Sequence, residues 1–123
     1  MTGRVLLIED EPNIAEAIRF ILGRNGWQVV VRTDGRDGLA AVSSVRPDLV
    51  ILDLMLPGMD GMDVLLHLRR DPVTQDLPVM MLTARGQGRD REAATRAGVS
   101  AFMTKPFSNS DMVAAVRALL GAA

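Results

Sequence analysis

An open α/β sheet with helices on both faces is the fold class this sequence predicts. Three observations carry the prediction. Five short apolar runs recur along the chain. Between them lie segments whose apolar residues return at helical spacing. Polar residues stand where four of the runs stop: Glu9-Asp10, Asp53, Thr83 and Lys105. Short apolar runs bounded by turn signals read as buried strands. Their alternation with helices implies a parallel sheet covered on both sides.

The elements follow in order. Val5-Leu6-Leu7-Ile8 is a strand that stops at Glu9-Asp10-Glu11. Pro12 opens the first helix, because its fixed φ suits the first helical turn. Ile14, Ile18, Ile21 and Leu22 mark that helix, with Gly23 and Gly26 as stops. Trp27 to Val31 is the second strand. Leu39, Val42 and Val45 mark a second helix that ends before Pro47. Leu49 to Leu52 is the third strand, and it delivers Asp53 at its end. A turn through Pro57-Gly58 and Asp60-Gly61 leads to a third helix marked by Val64, Leu65 and Leu68. After a polar connection from Asp71 to Pro78, Val79 to Leu82 forms the fourth strand and ends at Thr83. Residues 86–97 form a fourth helix with a weak face of Ala93, Ala94 and Ala97, stopped by Gly98. Ala101 to Thr104 is the fifth strand, closed by Lys105-Pro106. Met112, Val113, Val116, Leu119 and Leu120 define the fifth helix.

Bulk properties narrow the possible functions. The 123 residues fit one domain, 1–123, with a single core. A net charge of −1 gives no general attraction to nucleic acid or to membranes. Cysteine is absent, which excludes a disulfide framework, thiolate zinc sites and cysteine catalysis, and suits a reducing cytoplasm. No apolar run approaches the ~18 residues that span a bilayer. The N-terminus leads straight into a strand and does not read as a signal peptide.

In an open parallel sheet, ligands bind outside the carboxyl ends of the strands. That rule brings Glu9, Asp10, Asp53, Thr83 and Lys105 to one edge. Three carboxylates gathered there repel one another unless a cation sits among them. All-oxygen donors favour a hard ion, and Mg2+ takes one or two carboxylates while leaving positions for phosphate oxygens. Lys105 offers a point charge for phosphate, and Thr83 offers a hydroxyl donor. An aspartate beside a metal can attack phosphorus and form an aspartyl phosphate. Asp53, on the central strand, is the candidate nucleophile. Glu9 and Asp10 are the candidate metal ligands, with the Met55 backbone carbonyl completing the shell.

These residues carry a resemblance. Glu9-Asp10-Glu11-Pro12, Pro47-Asp48, Asp53 to Gly61, Thr83-Ala84 and Lys105-Pro106-Phe107 stand in the order and spacing of a receiver domain from two-component response regulators. The chain resembles that family over nearly its whole length. The resemblance implies a flavodoxin-like, CheY-like sheet in strand order 2-1-3-4-5 and a cis bond before Pro106. It implies that Asp53 accepts a phosphoryl group from a sensor histidine kinase or a histidine phosphotransfer protein, with Mg2+ held by Glu9, Asp10, Asp53 and Met55. Thr83 and Phe102 are then the switch pair; Phe102 takes a position often held by tyrosine and has no hydroxyl. Signalling is expected through the fourth helix, fifth strand and fifth helix to a downstream protein. Arg85, Arg89 and Arg96 form a stripe on that helix, read first as a solvated face. The family pattern is a switch, not an enzyme beyond slow self-phosphorylation from small donors and self-dephosphorylation. It implies no direct nucleic-acid binding by this domain, and a monomer or phosphorylation-dependent dimer.

Ser100, Ala101 and Ala115 stand where winged-helix regulators place an acidic pair and an extra arginine. The dimer network of that class is therefore not expected here. The expectation is a free-standing regulator or a receiver of another class, with excision from a larger transcription factor or output enzyme as the alternative. A haloacid-dehalogenase-like phosphatase also uses a strand-end Asp with magnesium, but needs a second acid where this chain has Met55. A flavodoxin-like cofactor binder is disfavoured by the acidic crevice and by aromatic content of 3%. A degenerate receiver is disfavoured by the complete acid, Thr and Lys set. His67 reads as a surface residue. Met55 and Arg85, two residues past Asp53 and Thr83, are expected to set how fast water removes the phosphoryl group.

Overall fold

A computed structural model describes residues 3–84 and 88–121 of the chain. Five strands alternate with five helices, as the periodicity predicts. They are β1 (Arg4–Ile8), α1 (Pro12–Arg24), β2 (Gln28–Arg32), α2 (Gly35–Val45) and β3 (Leu49–Asp53). Then come α3 (Gly61–Arg70), β4 (Val79–Thr83), α4 (Gly88–Ala97), β5 (Ala101–Thr104) and α5 (Asn109–Leu120). All strands pair in parallel, in the order β2-β1-β3-β4-β5.

The sheet divides the core into two layers. Successive side chains of a strand point to opposite faces. Leu6, Ile8, Val50, Leu52, Val79 and Met81 therefore meet α2, α3 and α4 through Val42, Leu65, Leu68 and Ala94. Val5, Leu7, Leu49, Ile51, Met80 and Leu82 meet α1 and α5 through Ile18, Leu22, Met112 and Val116. The three central strands are covered on both faces. That is why they read as unbroken apolar runs rather than as alternation.

Three helices begin in the same way. Asp34, Asp60 and Ser108 each accept a hydrogen bond from the backbone N–H three residues on, at Asp37, Asp63 and Asp111, at 2.7, 3.0 and 3.1 Å. Each bond satisfies one orphan donor of a first turn, and the acid at the third position suits the positive end of the helix dipole. Pro12 opens α1 without a side-chain cap.

Small departures from the sequence reading have physical causes. Gly23 does not stop α1; the helix runs to Arg24, and the turn is made at Gly26, where φ is +95°. Strand β2 begins at Gln28 rather than Trp27, and Trp27 packs half-buried against the α1–α5 layer. The described part of the fourth helix begins at Gly88. Residues 86 and 87, assigned to that helix from sequence, and Arg85 lie outside the described residues. No helix among the described residues is long and apolar enough to cross a membrane.

Candidate functional site

Parallel strands deliver their last residues to one edge, and the site forms there. Glu9 follows β1 and is fully buried; Asp53 ends β3 at 6% exposure; Thr83 ends β4 at 1%. Lys105 follows β5 and enters from the side. Its Nζ lies 3.0 Å from Asp53 Oδ2, which accepts its hydrogen bond. The same Nζ lies 2.9 Å from Glu9 Oε1, close enough for an ion pair but off the angles of a hydrogen bond. One ammonium thus serves two buried carboxylates.

The remaining carboxylate oxygens are held by the backbone. Asp53 Oδ1 accepts from the Met55 N–H at 3.2 Å, and Glu9 Oε2 accepts from the Glu11 N–H at 3.1 Å. Burial pushes the Glu9 carboxyl up to about 7, against the opposing pull of Lys105 and the Glu11 N–H. Burial alone would lower the Lys105 ammonium, but its contacts with Glu9 and Asp53 outweigh that and hold it above its ordinary range. Charge-stabilising contacts therefore run both ways across the pair.

Glu9, Asp10 and Asp53 each offer an oxygen, and these oxygens lie within 4.8 Å of one another. Asp10 is exposed, so the cluster has one open side through which solvent or a phosphate can approach. The donor set is all oxygen, as a hard divalent ion requires. Glu9 Oε1 has no well-formed hydrogen bond although it is buried. Its cationic contact among the described residues is Lys105 Nζ at 2.9 Å, which leaves lone pairs on this oxygen for a metal ion at the cluster. The residues present fit a magnesium ion.

Thr83 Oγ1 is likewise buried with no hydrogen-bond partner. Strand register pairs Asp53 with Leu82, which sets Thr83 one residue beyond the acceptor on the neighbouring strand. Its hydroxyl is a free donor at the edge where the carboxylates converge. Gly61 closes the loop that leaves β3. A Cβ there would lie 2.3 Å from the Asp53 carbonyl oxygen, so only glycine lets α3 start this close to the acceptor.

A family model for the response regulator receiver domain matches residues 5–117. The chain belongs to the response regulator receiver family. Over 120 residues it is 41% identical to the phosphate regulon transcriptional regulatory protein PhoB of Escherichia coli (strain K12), covering 98% of this chain and 52% of that protein. It is 44% identical over 117 residues to the DNA-binding dual master transcriptional regulator RpaA of Synechocystis, covering 95% of this chain and 48% of RpaA. The receiver thus spans about half the length of these curated relatives. Among solved structures, the signal receiver domain of a histidine kinase from Syntrophus aciditrophicus superposes with a TM-score of 0.89 at 34% identity, covering 96% of this chain and 89% of that one. Chemotaxis response regulator CheY4 of Vibrio cholerae shares the fold, with a TM-score of 0.91 at 24% identity over 98% of this chain and all of CheY4.

The receiver brings together every residue expected at the edge, and it separates their environments. Glu9 is buried and paired, whereas Asp10 is exposed. Met55 sends its N–H to Asp53, and the residue is 66% exposed. The peptide bond before Pro106 is cis. Phe102 is half-buried on the α2–α4 side of the sheet. Two features were not anticipated. Lys105 reaches Glu9 as well as Asp53. The Arg91 guanidinium stacks 4.7 Å from the centroid of the Phe102 ring. No spacing rule predicts a contact between a helix and a strand edge, although an arginine in the helix before a strand aromatic is a pattern worth testing. His67 is exposed on α3, as read. Ser100 proves structural: its hydroxyl accepts from the Val79 N–H at 3.0 Å and tethers β5 to β4.

Proposed function

We propose that residues 1–123 form one receiver in which Asp53 accepts a phosphoryl group from a histidine kinase or phosphotransfer protein. The observation that carries this reading is the shared Lys105 contact. One ammonium lies within 3.0 Å of the acceptor carboxylate and 2.9 Å of the buried acid beside it. In transfer from a phosphohistidine, the P–N bond breaks and its electron pair stays on the imidazole. A P–O bond forms to a carboxylate oxygen of Asp53. Glu9, Asp10, Asp53 and the Met55 carbonyl would hold the magnesium, which when bound supplies positive charge for the phosphoryl oxygens. Lys105 neutralises those oxygens from the other side. Thr83 donates its unused hydroxyl to the new phosphate.

That donation is the switch. Moving a two-state equilibrium from 1:99 to 99:1 takes about 5.5 kcal/mol. A hydrogen bond to a charged group contributes roughly 1.5–3 kcal/mol, so the Thr83 and Lys105 contacts together are of the right order. Phe102 follows Thr83, and the change reaches a protein partner at the α4-β5-α5 face. The domain acts by binding, with at most slow turnover of its own phosphate, and it does so in the cytoplasm. Met55, exposed beside Asp53, screens the acyl phosphate from water together with Arg85. The test is uptake from a small acyl-phosphate donor with Mg2+. Wild type should be labelled and Asp53→Asn should not; equal labelling of a folded Asp53→Asn variant rejects Asp53 as acceptor.

The relatives favour one output over others. PhoB and RpaA are named as transcriptional regulators, and each is about twice the length matched. We propose a transcriptional output in which DNA is bound by another domain and not by this one. Monomer and phosphorylation-dependent dimer are then separable by sedimentation with and without the phosphoryl donor.

A further inference from the structure

One cavity lies away from the acidic edge, at the carboxyl ends of α2 and α3. It has a volume of about 880 Å³, within the ~300–1,000 Å³ usual for small-molecule sites. Leu39, Val42, Leu68 and Leu77 give it apolar walls. Arg46 and Arg70 line it from the two helix ends. Among the described residues neither guanidinium has an ion pair, a hydrogen bond or an aromatic ring to rest on. Asp71 also lines the cavity, but one of its oxygens is engaged by the Val73 N–H at 2.9 Å.

Helix dipoles favour cations at both positions, so the charges suit their helices. They do not require the backbone found at Arg46. Its φ is 52°, the left-handed region, and it is the one non-glycine residue there among the described residues. Glycine or asparagine normally takes that place. An arginine held in this conformation beside an apolar cavity, with a second unpaired arginine in the same lining, gives the apolar space two exposed cations.

We propose that this cavity binds a small amphipathic anion, an apolar chain or ring bearing one carboxylate. The apolar body fills the space along Val42 and Leu68, and the carboxylate meets Arg46 and Arg70. A guanidinium fork matches carboxylate geometry.

Titration of octanoate into the isotope-labelled full chain tests the proposal by amide chemical shifts. Saturable shifts should fall on residues 39–47 and 67–77. Octylammonium, which carries the same chain and the opposite charge, should bind about tenfold more weakly or not at all. Arg70→Gln should weaken octanoate by about tenfold, the loss of one hydrogen bond to charge. Arg46→Gly should do the same, and glycine suits a φ of 52°, so its loss of binding cannot be assigned to unfolding. Phosphoryl uptake at Asp53 is the control that both variants keep. No saturable shift, shifts scattered over the surface, equal binding of octylammonium, or undiminished binding in both variants would overturn the proposal.

Discussion

Lys105 is the residue on which the acidic edge depends. Its Nζ balances two carboxylates that are 0% and 6% exposed. Removing one member of a fully buried ion pair costs about 3–5 kcal/mol, because the other charge is left uncompensated. The Lys105 side chain is 18% exposed, so water recovers part of that. Lys105→Met should therefore destabilise the receiver by about 2 kcal/mol in urea denaturation at neutral pH. A midpoint equal to wild type would mean that the two acids need no cation. Arg91 presents a smaller effect. At 4.7 Å over Phe102 on an exposed helix face, its stacking is worth about 0.5–1 kcal/mol. Arg91→Ala should lower stability by that amount and broaden the Phe102 ring resonances. Unchanged ring signals would detach Arg91 from the switch. At this scale the sequence was only half legible. The convergence of Glu9, Asp53, Thr83 and Lys105 followed from their places at strand ends. Which acid is buried, and which cation stacks on which ring, depends on side-chain packing that spacing does not encode.

Helices and loops depend on a few positions where chain approaches chain. Gly61 is one, with the Asp53 carbonyl 2.3 Å from where a Cβ would stand and the Leu54 Cα at 2.8 Å. Gly23 is its contrast: it lies inside α1 with nothing within 4 Å. The two glycines should respond with opposite signs to alanine. Gly23→Ala should stabilise by about 0.5–1 kcal/mol, through helix propensity and a less flexible unfolded chain. Gly61→Ala forces the start of α3 away from β3. It should cost about 1–3 kcal/mol, as overpacking does, and slow phosphoryl uptake at Asp53. Thermal midpoints and uptake rates of the two variants check this; similar shifts in both would refute the close-approach argument. The element boundaries were legible where chemistry marks them. Pro12 opens α1, and Gly98, with φ of +96°, ends α4. The Asp34-x-x-Asp37, Asp60-x-x-Asp63 and Ser108-x-x-Asp111 caps were equally present in the sequence. Apolar periodicity does not mark them, because a cap is written in one polar residue and the acid three positions on.

At the scale of the whole molecule, the sheet separates two half-cores that share a backbone but few side-chain neighbours. This arrangement made the fold class readable. Strands buried on both faces need apolar residues at every position, so β1, β3 and β4 announce themselves as runs. The outer strands β2 and β5 are only half-buried, and the one-residue slip at Trp27 occurred there. Strand order is different in kind, since several parallel windings satisfy the same alternation, and it came from family resemblance rather than from pattern. The two-layer core has an energetic consequence. Leu65 on α3 and Met112 on α5 are both fully buried, on opposite sides of the sheet. Each truncation to alanine removes about 2–5 kcal/mol. Sites with no shared partners, set apart by the thickness of a sheet, add to within about 0.3–0.5 kcal/mol. Leu65→Ala and Met112→Ala together should then lose the sum of the single losses, a large part of the ~5–15 kcal/mol that holds a domain folded. The double variant should still unfold in one transition if the strands keep the layers cooperative. Urea titrations of the two single variants and the double variant measure the coupling. A deviation from additivity well above 0.5 kcal/mol would show that packing strain crosses the sheet, whereas two separate transitions would show that the layers fold independently.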